Sequence, residues 1–215
     1  MSCWDSLAKP WQAALEEAWT AYCHGSLPIG AVIVRGDQII ARGRNRIAEA
    51  HEINGFIGGT QISHAEMNAI VQLANDADTR GLEIYTTMEP CPMCAGAIAM
   101  ASLKTVHFAS HDAWAGSTHL YEKDGYLAGK RIRLHPPTNT TLELICSAVL
   151  LYSDLEWRGD TSNNVVVKAY EKAQPAAVQL ARDIFQTRQL EQWREARAEV
   201  GEIINGLAQR VGSRT

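Results

Sequence analysis

Two periods of hydrophobic spacing organise the beginning of this chain. Apolar residues recur every three or four positions between Pro10 and Gly25, and this spacing predicts a first helix. The apolar face of that helix comprises Trp11, Leu15, Ala18, Trp19 and Tyr22. Two β-branched runs, 31–34 and 38–41, then flank a turn that contains Gly36. This second pattern predicts a β-hairpin directly after the helix.

Helical and strand patterns alternate in the next part of the chain. A helical stripe after His64 comprises Met67, Ile70, Val71 and Ala74, and another after Cys91 comprises Ala95, Ile98 and Ala99. Residues 82–87 and 104–109 each predict a strand. The alternation indicates a layered α/β domain, in which functional sites are expected at the strand-to-helix turns.

Two further segments have a pattern but no obvious chemistry. The loop 46–63 places glycines around Phe56 and Ile57, and it is interpreted as a lid, an oligomer contact or an ordinary surface loop. Residues 158–164 predict a linker, after which Pro175 opens a long helical pattern. The apolar stripe of this tail comprises Trp193, Ala196, Val200, Ile203 or Ile204, Leu207 and Val211. We expect the tail to pack on the domain or on another subunit.

Composition limits the classes of function. A chain of 215 residues that is 46% hydrophobic can bury a core in one domain plus an extension. Residues 1–159 carry 12 Lys and Arg against 17 Asp and Glu, so the basic surface typical of nucleic-acid-binding proteins is not expected. Five cysteines without a secretory-type start predict a cytoplasmic protein with reduced thiols. The longest apolar run, 144–152, is much shorter than the roughly 20 residues of a membrane span.

Candidate metal donors lie at two of the predicted helix starts. His64 precedes Glu66 by two residues, and Cys91 and Cys94 form a Cys-x-x-Cys pair framed by prolines. A Cys-x-x-Cys pair alone is also compatible with a redox site or with half of a structural zinc site. Three soft donors are the number that a catalytic zinc site uses, since it leaves the fourth position to water. The set therefore predicts a reactive Zn²⁺ site.

Glu66 has two possible roles. Ser63 and Glu66 fit a capping box, in which the carboxylate would fold back onto the Ser63 backbone N–H and start the helix. Alternatively, Glu66 lies beside the metal-activated water and carries protons to and from it. The second role makes Glu66 the catalytic residue.

These residues resemble the signature of the zinc-dependent cytidine-deaminase superfamily, which is His-x-Glu followed by Pro-Cys-x-x-Cys. Within the superfamily the chain looks most like the tRNA adenosine deaminase and guanine deaminase branch. The matching segments are 28–32, 43–45, 89–91 and 95–98. The resemblance covers roughly residues 7–157. It implies a three-layer α/β/α fold with a mixed sheet of about five strands.

The extent of the resemblance and the pattern of the tail predict a domain organisation, and the resemblance implies a reaction. Residues 1–157 would form the deaminase domain and 158–215 a C-terminal helical extension. Zn²⁺ held by His64, Cys91 and Cys94 would make hydroxide available to attack an amine-bearing ring carbon, and Glu66 would transfer the protons until ammonia leaves. The expected assembly is a homodimer.

Substrate contacts are predicted at four residues. Asn45 follows the hairpin and offers both a donor and an acceptor to a base edge, as the resemblance also implies, although a turn role fits it too. Backbone N–H groups around Cys91 could hold the developing oxyanion. Asp112 and Trp114 could place a carboxylate and a stacking ring at the pocket mouth, or they could merely shape their own loop.

Three functions follow from this site. The first is deamination of a free nucleobase or nucleoside, with a purine slightly favoured, because the domain is acidic. The main alternative is a tRNA wobble-adenosine deaminase, since Arg42, Arg44 and Arg46 share one strand face beside Asn45. The third is a noncatalytic zinc-binding interaction module, against which the presence of Glu66 argues.

Overall fold

The computed structural model describes residues 2–74 and 78–213. A mixed five-stranded sheet runs in the order β2-β1-β5-β6-β7, and its strands are β1 (Gly30–Arg35), β2 (Gln38–Arg44), β5 (Leu82–Thr86), β6 (Thr105–Phe108) and β7 (Arg133–His135). Strand β1 pairs antiparallel with β2 and β5, whereas β5, β6 and β7 are parallel. A separate small hairpin joins β3 (Glu52–Ile53) to β4 (Phe56–Ile57).

Helices cover both faces of the sheet, which confirms the predicted three-layer α/β/α fold. The helices of the domain are α1 (Lys9–Cys23), α2 (Ala65–Ile70), α3 (Pro92–Met100), α4 (Leu120–Lys123), α5 (Gly125–Gly129) and α6 (Thr140–Arg158). Strand β1 alternates its side chains between the layers, since Val32 packs with α1 whereas Ile33 packs with α2 and α3. Both residues are fully buried. The sheet is therefore hydrophobic on both faces.

Four helices follow the domain: α7 (Val165–Ala173), α8 (Pro175–Gln186), α9 (Gln189–Glu195) and α10 (Val200–Gly212). Helices α8 and α10 pack on α6, and their apolar residues join one core that also includes Leu15 and Tyr22 of α1. The tail thus packs on its own domain. The boundary between 157 and 158 stays a prediction, and α6 ends beside it at Arg158.

The structure corrects three of the predicted elements. The loop 46–63 contains the β3–β4 hairpin. The pattern after Pro175 is three helices rather than one, because the backbone is left-handed at Arg188 and Arg197. The stripe after His64 is not the buried face of α2, which instead buries Ala65 and Ala69.

The buried face of α2 depends on a close approach to β2. A Cβ on Gly43 would lie 2.2 Å from the Ala65 carbonyl oxygen and 2.3 Å from the Ala69 nitrogen, both backbone atoms. We expect Gly43→Ala to lower the free energy of unfolding by about 1–3 kcal/mol, because α2 must move away from the sheet. Urea denaturation measures this effect. Gly129→Ala is the matched control, since its added Cβ meets nothing within 4 Å, and an equal loss in both variants would contradict the packing argument.

Candidate active site

Three metal donors converge where α2 and α3 begin. His64 is the N-cap residue of α2, Cys91 is the N-cap residue of α3, and Cys94 lies in the first turn of α3. Two prolines explain why α3 begins directly after Cys91. Pro90 favours an extended conformation in the residue before it, and Pro92 is tolerated at the first helical position. The two strand-to-helix connections thereby bring residues 27 positions apart into contact.

The spacing of the donor atoms fits Zn²⁺. His64 Nδ1 lies 3.5 Å from Cys91 Sγ and 3.5 Å from Cys94 Sγ. A tetrahedral zinc ion with ordinary Zn–S and Zn–N bonds requires an N···S edge of about 3.5–3.6 Å. Among the described residues, these three form the one group of His, Cys, Asp or Glu placed to hold a metal. The donor set is therefore that of an open, three-ligand site.

The electrostatics of the donor group favour the ligand form of Cys91. The neighbouring Cys94 thiol, and then His64, lower the pKa of Cys91 to about 4, while burial acts in the opposite direction. The start of α3 also favours negative charge. These interactions favour the thiolate of Cys91, which is the form of cysteine that binds metal.

Glu66 lies on the floor of this site rather than in a capping box. The Ser63 backbone N–H donates to the Thr60 carbonyl oxygen, and the Glu66 carboxylate accepts a hydrogen bond from Thr86 Oγ1 at 3.0 Å. Its other oxygen lies 3.4 Å from Cys94 Sγ. Burial raises the pKa of Glu66, since the side chain is almost inaccessible to solvent. This geometry favours the proton-transfer role over helix capping.

A cavity of about 280 Å³ opens above Glu66 and the donor group. This size suits a small molecule or one extruded base. Its further lining residues are Leu27, Ile29, Ile47, Gln61, Ala65, Met88, Glu89, Asp112, Trp114, Ala115, Leu150, Asp154, Trp157, Arg158 and Val166. The pocket therefore combines an apolar wall with several carboxylates.

Three of the four predicted substrate residues, Cys91, Asp112 and Trp114, line this pocket, whereas Asn45 does not. Asp112 and Trp114 line it, and 57% of Trp114 is exposed. Asp112 Oδ1 also accepts hydrogen bonds from the Trp114 and Ala115 backbone N–H groups, so it shapes its own loop as well. Asn45 is fully buried behind the lining residue Ile47, whose N–H donates to Asn45 Oδ1. Asn45 Nδ2 has no partner among the described residues.

Glu89 is a lining residue that was not predicted as part of the site. Its Oε1 accepts hydrogen bonds from the Thr118 N–H and hydroxyl, and its Oε2 accepts one from the Asp112 N–H. A Cβ on Gly116 would lie 2.4 Å from Glu89 Oε2, so the loop 112–118 closes tightly over this carboxylate. Glu89 thereby fixes the loop against the connection that carries Cys91.

The C-terminal side of the pocket was also not predicted. Asp154, Trp157 and Arg158 come from α6, and Val166 comes from α7. No sequence motif marks these residues, and they follow Cys94 by at least 60 positions. Only the packing of α6 and α7 against the rest of the chain places them around the cavity that His64 and Cys91 also line.

Comparisons with known proteins agree with the site. Residues 6–110 match the family model described as the cytidine and deoxycytidylate deaminase zinc-binding region. The chain is 37% identical over 115 residues to the tRNA-specific adenosine deaminase of Streptococcus pyogenes, which is 52% of this chain and 67% of that protein. It is 39% identical over 106 residues to the Bacillus subtilis enzyme of the same name, which is 48% of this chain and 61% of that protein. The match thus spans about two thirds or less of these relatives.

Similarity among solved structures extends over more of the chain. One crystal structure, of a protein in complex with 2,6-diaminopurine, covers 73% of this chain and 87% of its own with a TM-score of 0.50. At 20% sequence identity this likeness shows the fold alone. Within the described ranges, no helix is long and apolar enough to cross a membrane.

Proposed function

Because this chain belongs to the cytidine-deaminase superfamily and carries its zinc-binding region, we propose that it removes an exocyclic amine from a nucleobase by hydrolysis. The observation that carries this proposal is the placement of Glu66, which lies buried beside the three donors His64, Cys91 and Cys94. The overall reaction converts a ring amine and water into a ring carbonyl and ammonia. We propose a homodimeric, cytoplasmic enzyme.

The residues of the site have separate roles in the proposed reaction. His64, Cys91 and Cys94 hold Zn²⁺, which when bound lowers the pKa of a water molecule enough to make hydroxide available near neutral pH. Glu66 accepts the proton of that water, delivers it to a ring nitrogen, and transfers a proton to the leaving amine. The hydrogen bond from Thr86 holds one oxygen of Glu66 in place and leaves the other directed toward the donors.

The pocket favours a free base or nucleoside as the substrate. Glu89, Asp112 and Asp154 line it as carboxylates, and the lining cation Arg158 is already paired with Asp154 at 2.9 Å. A polynucleotide needs Lys or Arg to compensate its phosphates, whereas an uncharged base gains from acceptors for its N–H groups. The Cys91 backbone, Asp112 and Trp114 are the substrate contacts in this proposal. Asn45 does not line the pocket, and its role here is to hold the lining residue Ile47 through the hydrogen bond that it accepts from the Ile47 N–H.

The relatives favour the second candidate, a tRNA wobble-adenosine deaminase. The curated proteins compared above are tRNA-specific adenosine deaminases, and they support this candidate more directly than they support a free base. The exposed ring of Trp114 at the pocket rim suits stacking by a nucleotide beside the target base. Both candidates use the same chemistry and differ in what enters the pocket.

A panel of amine substrates separates the two candidates. The zinc-loaded protein is incubated with free bases, nucleosides, a tRNA that has adenosine at the wobble position, and the same tRNA with guanosine there, and ammonia release is measured. We expect the largest kcat/KM on a free purine base or nucleoside. Activity confined to the adenosine-bearing tRNA would establish the second candidate instead, and no ammonia from any substrate would contradict the proposed function.

A further inference from the structure

The C-terminal extension is the part of the chain without an assigned role. It begins after residue 157, whereas the family model ends at residue 110. Its first helix, α7, nevertheless reaches the pocket, because Val166 lines the cavity. Two side chains of this segment also form hydrogen bonds with carboxylates that line the cavity.

Tyr170 of α7 reaches the loop that carries the predicted substrate contacts. Its side chain is fully buried, and its hydroxyl donates to Asp112 Oδ1 at 3.2 Å. The same oxygen accepts the Trp114 and Ala115 backbone N–H groups, at 2.9 and 3.1 Å. Burial raises the pKa of Asp112, and these hydrogen bonds act against that rise by stabilising the carboxylate. Oδ1 is thus fully used in holding the loop.

A second set of hydrogen bonds connects the extension to the same loop. Gln174, at the N-cap of α8, donates through Nε2 to the His111 carbonyl oxygen at 3.4 Å. Its Oε1 accepts from Ser147 Oγ at 2.6 Å, and Ser147 Oγ is also hydrogen-bonded to Ser110 Oγ at 2.6 Å. These contacts fix the two residues that precede Asp112.

Asn164, the N-cap residue of α7, holds another pocket carboxylate. Its Nδ2 donates to Asp154 Oδ2 at 2.6 Å, while its Oδ1 accepts the Val167 N–H and starts the helix. Both Asn164 and Asp154 are buried, and Asp154 lines the cavity. One short segment, 164–170, therefore holds two acidic side chains that line the pocket.

We infer that the extension is a working part of the active site, in which Tyr170 positions Asp112 and Asn164 positions Asp154 for contact with the substrate. This inference rests on the proposed function, since it takes the cavity to be the substrate pocket. Tyr170 and Asn164 do not touch the reacting atoms. They hold side chains that line the substrate pocket, whereas the metal donors and Glu66 carry out the reaction.

The test compares two buried tyrosines. Tyr170→Phe removes the hydroxyl that holds Asp112, and the control Tyr152→Phe removes one that bonds to Glu191 within the helical layer at 2.6 Å. On the best substrate of the panel, we expect Tyr170→Phe to raise KM about 2- to 10-fold with little change in kcat. Combined with Asp112→Asn, its effect on KM should be less than multiplicative, because the two side chains act as a pair. Tyr152→Phe should leave KM unchanged.

Hydrogen exchange gives a readout that needs no turnover. Loss of the Tyr170 hydroxyl should speed exchange of the Trp114 and Ala115 amides, since both donate to the oxygen that Tyr170 holds. Tyr152→Phe should not. Asn164→Asp supplies a second variant, because Asp also caps a helix but would repel Asp154, and it too should raise KM.

The outcomes separate the inference from the proposed function. Equal KM values and equal loop exchange in the two tyrosine variants would overturn the inference even if deamination is observed. Faster exchange in Tyr170→Phe alone would support the positioning of the loop even if every substrate of the panel fails. A parallel loss of kcat and zinc in Tyr170→Phe would mean that Tyr170 only supports the fold, which also overturns the inference.

Discussion

Glu66→Gln is expected to keep one zinc per chain and to lose about 10⁴-fold in kcat, the upper end of the range for general acid–base groups. The amide is nearly the same size as the carboxylate and can still accept the hydrogen bond from Thr86. It cannot take a proton from water and return it to the substrate, and Glu66 is needed for more than one such transfer. Ammonia release and metal analysis on the same preparation measure the two quantities.

Two variants control this experiment. Glu122→Gln neutralises an exposed carboxylate on α4 and should leave kcat unchanged. Thr86→Val removes the hydrogen bond to Glu66 but not the carboxylate, so a smaller loss, about 10-fold, is expected. An active Glu66→Gln enzyme would show that Glu66 serves the fold only.

Cys91→Ala is expected to abolish both zinc binding and turnover. The variant leaves only His64 and Cys94 as donors, and removing even an outer partner of a metal ligand costs roughly 10–100-fold in metal affinity. The loss on removing a thiolate ligand itself should exceed that range. Zinc content after dialysis against a weak chelator, followed by an ammonia assay, measures the effect.

A second cysteine provides the matched control for this prediction. Cys23→Ala removes an exposed cysteine that lies outside the donor group, so its zinc content should equal that of the unmodified chain. We expect Cys91→Ala to remain folded, because Cys91 belongs to neither of the two large hydrophobic clusters of the protein. Circular dichroism checks this expectation. A Cys91→Ala protein that retains a full equivalent of zinc would remove Cys91 from the ligand set.

The parts of the fold that were predictable are those in which local pattern and packing agree. The first helix and the first hairpin follow their apolar spacing, and the structure places them as predicted. Helix α2 does not, because it packs through Ala65 and Ala69 against Gly43. Close approach selects small residues there, so the larger side chains of Ile70 and Val71 remain at the surface or partly buried. A prediction from hydrophobic periodicity gives most weight to large apolar residues, and it therefore indicated the wrong face of α2 as the buried one.

The C-terminal helices show a second limit of local reasoning. Arg188 and Arg197 adopt left-handed backbone conformations that end one helix and begin another. Breaks of this kind are ordinarily marked by Gly or Asn, and an arginine gives no such signal. Strand β7 was missed for a related reason, since its three residues have no buried alternation and depend on pairing with β6.

The candidate site divides in the same way. His64, Glu66, Cys91 and Cys94 are recognisable because metal chemistry requires those residue types at short spacings. Asp154, Trp157 and Tyr170 carry no such constraint, and only the packing of α6 and α7 brings them to the pocket or its loop. Sequence therefore predicts the reaction from local motifs, whereas the walls that select the substrate come from distant segments.

X-ray absorption at the zinc K-edge tests the central claim most directly, namely that three side chains hold the metal and leave one position open beside Glu66. For the zinc-loaded protein we predict two sulfur neighbours at about 2.3 Å, with one imidazole nitrogen and one further light atom at about 2.0–2.1 Å. Addition of a substrate from the panel should change the light-atom shell and leave both sulfurs in place. A third sulfur or a second imidazole would close the site with four protein ligands and contradict a catalytic role for the metal.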